Sequence, residues 1–83
     1  MNAMKVVMYS RKQCPLCEKA KIQLLALQTE FQFEFEEVDI YENDSLLERY
    51  QLMIPVVEIN GEEVEYGQIV KENIRKRLLK KMM

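Results

Sequence analysis

The sequence predicts an α/β domain whose elements run β-α-β-α-β-β-α over residues 1–83. Three observations carry that order. Short runs rich in β-branched and aromatic residues recur at 5–9, 31–40 and 54–59. Stretches with helical periodicity separate or follow them. An Asn60-Gly61 pair, the strongest short hairpin signal, sits between the run at 54–59 and the returning stretch Glu62–Tyr66. Eighty-three residues are enough for one domain with a modest core, and no repeat or linker divides the chain.

The first run, Lys5 to Tyr9, is apolar enough for a buried strand and ends in the polar stretch Ser10–Gln13. A helix follows from Pro15, since proline at the first helical position loses no hydrogen bond. Its expected inward stripe is Leu16, Ala20, Leu24 and Leu27, widened by Ile22 and Leu25. Phe31, Phe33 and Phe35 then alternate with polar residues, the period of a half-exposed strand. The adjacent Glu36 and Glu37 interrupt that alternation and predict a bulge or an end. Ser45 followed by Glu48 matches a capping box, with Leu46, Leu47 and Tyr50 facing inward. Residues 54–59 form the third strand, and Glu62 to Tyr66 return beyond the hairpin as an edge strand. The tail, 68–83, is a helix with Val70, Ile74 and Leu78 inward and a basic last turn, as the helix dipole prefers.

Composition places the chain among soluble globular proteins: 48% of residues are hydrophobic and 31% charged. No apolar run is long enough to span a bilayer, and the first residues lack the features of a secretory leader. The expectation is a cytoplasmic protein, where a purely structural disulfide would be out of place. Charge is unevenly distributed. Residues 30–65 hold 12 carboxylates against the single Arg49, whereas 66–83 hold six cations against Glu72. The ordinary reading is solvated faces on alternating elements. The functional reading is that the basic residues around the cysteines favour a thiolate or an anionic partner. The few apolar positions of the basic tail are all needed for packing, so neither a nucleic-acid nor a membrane contact is expected.

The only two cysteines are Cys14 and Cys17. A structural zinc site needs four ligands, and one cysteine pair without any histidine falls short. A cluster shared with an outside thiol faces the same shortage. A coincidental pair of core thiols is the plainest alternative, but its place is wrong for that. Cys14 lies at the amino end of a helix, beside Arg11 and Lys12, where free N–H groups and cations stabilise negative charge. Residues three apart in a first turn share a face, close enough for a disulfide to form and break. The pair therefore reads as a redox dithiol, with Cys14 attacking and Cys17 resolving, and with only Cys14 meeting solvent. Lowering a thiol pKa from about 8.5 to about 6 makes it roughly 90% thiolate at pH 7. Its intrinsic nucleophilicity falls by roughly tenfold, so the net gain in attack is only a few-fold. The larger gain is in leaving-group ability.

With these residues in view, the chain resembles the glutaredoxins and their relatives in the thioredoxin superfamily. Cys14-Pro15-Leu16-Cys17 after a strand, and Met53-Ile54-Pro55-Val56-Val57 before another, carry the resemblance across nearly the whole chain. It implies a thioredoxin/glutaredoxin-like fold with a central mixed four-stranded sheet flanked by helices. It also implies a cis Pro55 against the dithiol and a substrate chain paired on the backbone of Ile54. Arg11 stands where the family has a glutathione-carboxylate contact. The family's Gly-Gly and acidic pair before the last helix are reduced here to Gly67. The pattern Tyr9-Ser10-Arg11, Cys14, Leu16-Cys17, Ala20 with Glu48-Arg49-Tyr50, Leu52 and Gly61 is similar to short bacterial glutaredoxin-like proteins. The tail also resembles redoxins reduced by thioredoxin reductase.

The expectation from residues and resemblance together is a monomeric thiol–disulfide oxidoreductase. Cys14 and Cys17 carry the chemistry, and no cofactor is needed beyond the dithiol. Arg11 and Lys12 stabilise the thiolate, Ile54 and Pro55 present the substrate, and Tyr9 and Gly67 border the site. The substrate is a disulfide-bearing protein or a glutathione mixed disulfide. Electrons come from a reductase or from glutathione, the latter as candidate co-substrate. The rivals are a redoxin dedicated to one reductase, a redox sensor without turnover, and a metal or iron–sulfur binding module.

Overall fold

The computed structural model describes residues 4–82. Residues 1–3 and Met83, which the readings of the first residues and of the tail include, lie outside them. Strand β1 (Met4–Ser10) leads into helix α1 (Pro15–Leu27) and strand β2 (Phe33–Asp39). A 3-10 turn at Ile40–Glu42 precedes helix α2 (Asp44–Tyr50), strands β3 (Val56–Ile59) and β4 (Glu62–Tyr66), and helix α3 (Lys71–Met82). The four strands form one mixed sheet in the order β2-β1-β3-β4. β1 pairs parallel with β2 and antiparallel with β3, and β3 pairs antiparallel with β4.

β1 shows why the sheet has two different faces. Met4, Val6, Met8 and Ser10 are buried, while Lys5, Val7 and Tyr9 point the other way. The first face packs on Ala20, Leu24 and Leu27 of α1 and on Ile74 and Leu78 of α3. The second is covered by a smaller cluster of Ile40, Tyr50 and Val56, with Tyr9 stacked on Tyr50 at 4.7 Å between ring centres. Asn60 (φ 52°) and Gly61 (φ 86°) both adopt left-handed conformations, as the two central residues of a type I′ hairpin turn must.

Several sequence expectations change here. β2 continues in unbroken register with β1 from Phe33 to Asp39, so Glu36 and Glu37 mark neither bulge nor end. As an edge strand with much of its length half-exposed, it tolerates consecutive carboxylates. Phe31 falls in the turn before it. The bulge lies instead in β4, where Val57 faces Glu65 and Glu58 faces Glu63, leaving Val64 as the extra residue.

The inward stripe of α1 is Cys17, Ala20, Leu24 and Leu27. Ile22 and Leu25 lie about 200° and 140° around the helix from Ala20, and both are exposed. Leu16 has a suitable angle but sits in the first turn, where it stays 46% exposed. At α3 the helical period does not extend back to Val70, because the helix begins at Lys71. Ile69 is buried instead, and Val70 is 44% exposed.

The cap of α2 is also different. Asn43, not Ser45, is the N-cap, its side-chain oxygen accepting from the amides of Ser45 (2.8 Å) and Leu46 (3.3 Å). Asn43→Ala should therefore cost about 1 kcal/mol of stability in urea denaturation. Ser45→Ala should stay within about 0.5 kcal/mol. The opposite ranking would restore the capping box.

The charge segregation along the chain is resolved by pairing. The basic last helix reaches back to the acidic middle: Arg75 pairs with Glu30 at 2.6 Å, and Arg77 and Lys81 pair with Glu62. On the α2 face, the Tyr50 hydroxyl donates to Glu63 at 2.9 Å. Burial, and then that carboxylate, push the Tyr50 phenol up to about 12. The unfolded chain releases this proton near pH 10 and the folded chain holds it, so stability should fall between about pH 10 and 12. Tyr50→Phe should flatten that limb in denaturation measured across the alkaline range. An unchanged limb would assign it to another group.

Candidate redox site

Cys14 and Cys17 are joined as a disulfide, with their Cα atoms 5.2 Å apart, well within the ordinary range. Cys14 is the N-cap of α1. Its backbone is extended (φ −120°, ψ 103°), its carbonyl accepts the Glu18 amide at 3.0 Å, and its sulfur accepts the Cys17 amide at 3.2 Å. Pro15 at N1 brings no amide to compete for that sulfur. A helix N-terminus with its cap position held by sulfur is a stabilising environment for a thiolate. The expectation that only Cys14 meets solvent is modified. In the disulfide state both are buried, Cys14 at 6% exposure and Cys17 at 3%.

Both cysteines belong to the larger core cluster, and Ile54 packs against it. The Ile54–Pro55 bond is cis. The Gly67 amide, in left-handed backbone (φ 77°), donates to the Met53 carbonyl at 3.0 Å and the Pro55 carbonyl at 2.8 Å. Gly67 thus ties the start of the α3 connection to the proline loop. The Ile54 amide donates to the Tyr50 carbonyl at 3.1 Å, so one of the two backbone groups through which a substrate chain would pair is already engaged.

Arg11 does not reach across to a carboxylate. Its guanidinium donates to the carbonyls of Lys12 and Gln13, each at 3.2 Å, and so clamps the loop that presents Cys14. Gln13 in that loop has φ 56°, a left-handed conformation nothing in the residue type announces. Lys12 is exposed on the lip of a charged cleft of about 380 Å³. The cleft runs from Arg11 and Lys12 to the Ser10–Glu37–Lys21 network, where the Ser10 hydroxyl donates to Glu37 at 2.8 Å. Ser10 was legible as buried by continuing the period of Met4, Val6 and Met8. Tyr9 is the residue the structure does not bring to the site: its side chain lies in the second cluster, on the opposite sheet face from the cysteines. There its hydroxyl donates to Glu58 at 3.2 Å. Among the described residues, no group of three or more His, Cys, Asp or Glu side chains is placed to hold a metal ion. No helix among them is long and apolar enough to cross a membrane.

The model of the glutaredoxin-like domain family (DUF836) matches residues 5–81. The chain belongs to that family. Solved relatives agree in fold. A Nitrosomonas europaea protein, known from its solution structure, is 28% identical with a TM-score of 0.80, covering 93% of each chain. A protein from X. campestris is 25% identical with a TM-score of 0.77, covering 90% of this chain and 96% of its own. A Nicotiana alata thioredoxin, at 21% identity and a TM-score of 0.72, shares the fold over 96% of this chain and 74% of its own. This glutaredoxin-like protein therefore has a thioredoxin-like fold, with a Cys14–Cys17 disulfide at the amino end of its first helix.

Proposed function

We propose that this glutaredoxin-like protein is a thiol–disulfide oxidoreductase that reduces disulfides through the Cys14–Cys17 dithiol. One observation carries the reading: the Cys14 sulfur caps α1, accepting the Cys17 amide, while it is covalently paired with Cys17. One short turn thus holds both the bonded state and the contact that would stabilise a Cys14 thiolate.

In the forward direction the Cys14 thiolate attacks one sulfur of a substrate disulfide. A Cys14–substrate disulfide forms, and the other substrate sulfur leaves as a thiolate. Cys17, deprotonated, then attacks the Cys14 sulfur. The intramolecular disulfide forms and the second substrate thiolate leaves. Two electrons pass to the substrate, and the protons of the two cysteine thiols end on its two sulfurs. The dithiol is regenerated by two electrons from an external thiol donor, glutathione or a dithiol reductase, acting as electron carrier. Ile54 and Pro55 border the bond to be exchanged. Arg11 maintains the loop in which Cys14 is presented, and Lys12 adds positive charge at its edge.

The test is NADPH-coupled turnover of a small neutral disulfide, run once with glutathione and glutathione reductase and once with thioredoxin reductase. Turnover in either arm supports the reading and names the donor class. Absence of turnover in both, with the disulfide shown to be reducible, would remove catalysis from the description.

A further inference from the structure

The bulge in β4 has a consequence at the start of α3. Along that strand Glu62 pairs with Arg77 and Lys81 of α3, whereas Glu63 turns to Tyr50 on the α2 face. Simple alternation would send Val64 to the α3 face and Glu65 back to the α2 face. The extra residue at Val64 breaks that alternation. Val64 packs on the cluster that contains the cysteines, and Glu65 follows it to the same side. Its carboxylate then bridges the start of α3, accepting the Val70 amide at 2.8 Å and the Asn73 side-chain amide at 2.9 Å.

A helix amino end attracts an anion, through its free amides and the dipole. Here the protein's own carboxylate is already there. The flank is tied into the packing that holds the redox pair. Gly67 is bonded to the proline loop, Ile69 shares a core cluster with both cysteines, and the Ile69 carbonyl accepts from Gln23 of α1 at 2.9 Å. Lys71, the nearest cation along the chain, is drawn towards Glu30. The other carboxylates of β4 have partners of their own. Arg11 and Lys12 lie in the loop before Cys14, and Leu16 and Val70 are exposed apolar residues at the starts of α1 and α3.

We propose that Glu65 is a specificity-determining residue. It fills the amino end of α3 and makes that flank of the redox site select against anionic disulfides, in favour of neutral or cationic ones. This rests on the oxidoreductase reading and narrows its substrate class, away from small anionic thiols and towards disulfides in an apolar or positively charged protein context.

The test uses the full chain and three small disulfides of matched size: cystamine, a dication; hydroxyethyl disulfide, neutral; and dithiodipropionate, a dianion. Glu65→Gln retains an acceptor for the Val70 amide while removing the charge. A unit charge acting through water at several ångströms changes each rate by about threefold. The ratio of kcat/KM for dianion to dication should therefore rise by about tenfold in Glu65→Gln at low salt, and the gain should shrink as salt screens it. Thermal denaturation of both proteins separates charge from folding, since a merely destabilised variant would lose all three activities in parallel. An unchanged ratio, with wild-type turnover of the neutral disulfide intact, overturns the role of Glu65. No wild-type turnover of any of the three overturns the oxidoreductase reading instead.

Discussion

A Cys14→Ser protein is expected to lose disulfide turnover by at least about 10³-fold, the scale on which removing a covalent nucleophile acts. A serine hydroxyl is not ionised near neutral pH and forms no exchangeable bond to sulfur. The substitution should nonetheless leave the fold intact, because serine is among the best N-cap residues and can accept the Cys17 amide as the sulfur does. Loss of activity would thus report chemistry rather than unfolding. Cys17→Ser makes the complementary statement. Attack by Cys14 still occurs, but nothing releases the product, so intact-mass measurement after exposure to a disulfide should show an adduct on Cys14. Retained turnover in Cys14→Ser would sink the assignment of roles. An adduct forming on Cys17 when Cys14 is replaced would reverse it.

The largest effect on stability should come from Leu24→Ala. Leu24 is fully buried on the inward stripe of α1, in the cluster that also holds Cys14, Cys17, Ala20 and Ile74. Truncating a leucine at such a site costs about 3 kcal/mol, through lost transfer energy and the cavity left behind. For a chain of this size that corresponds to a fall in Tm of roughly 15 °C. It is a large share of the stability such a domain has. Ile22, two residues earlier and 68% exposed, is the internal control: Ile22→Ala should shift stability by about 0.5 kcal/mol or less. Denaturation of both variants in the oxidised state makes the comparison. Equal losses at the two positions would mean that the face of α1 is wrongly assigned.

How much of this was legible beforehand depended on how local each feature is. The element order, the Asn60-Gly61 turn and the proline at the start of α1 could be read because each depends on a few neighbouring residues. So could the meeting of Cys14 and Cys17 in one helical turn. The errors had a common origin. Leu16 and Val70 follow the helical period in sequence but lie at the helix end and beyond it, where no packed partner enforces that period. Ile22 and Leu25 do not widen the buried stripe, because their angles turn them away from Ala20. Tyr9 does not border the site as expected, because a strand sends alternate side chains to opposite faces and Tyr9 falls on the face away from the cysteines.

What the sequence by itself determined is the chemistry on offer: two cysteines three apart at a helix start, and an α/β scaffold to hold them. Those follow from spacing and local backbone preference, which act over a turn or a strand. Only the tertiary structure decided which backbone groups remain free at the site. It engaged the Ile54 amide with Tyr50, turned Arg11 onto its own loop, and moved Glu65 through a strand bulge to the amino end of α3. Each depends on a contact geometry or a strand register that no local pattern specifies. A shift of one residue in register reverses the face a side chain occupies, so the electrostatics around the dithiol were set by the packing.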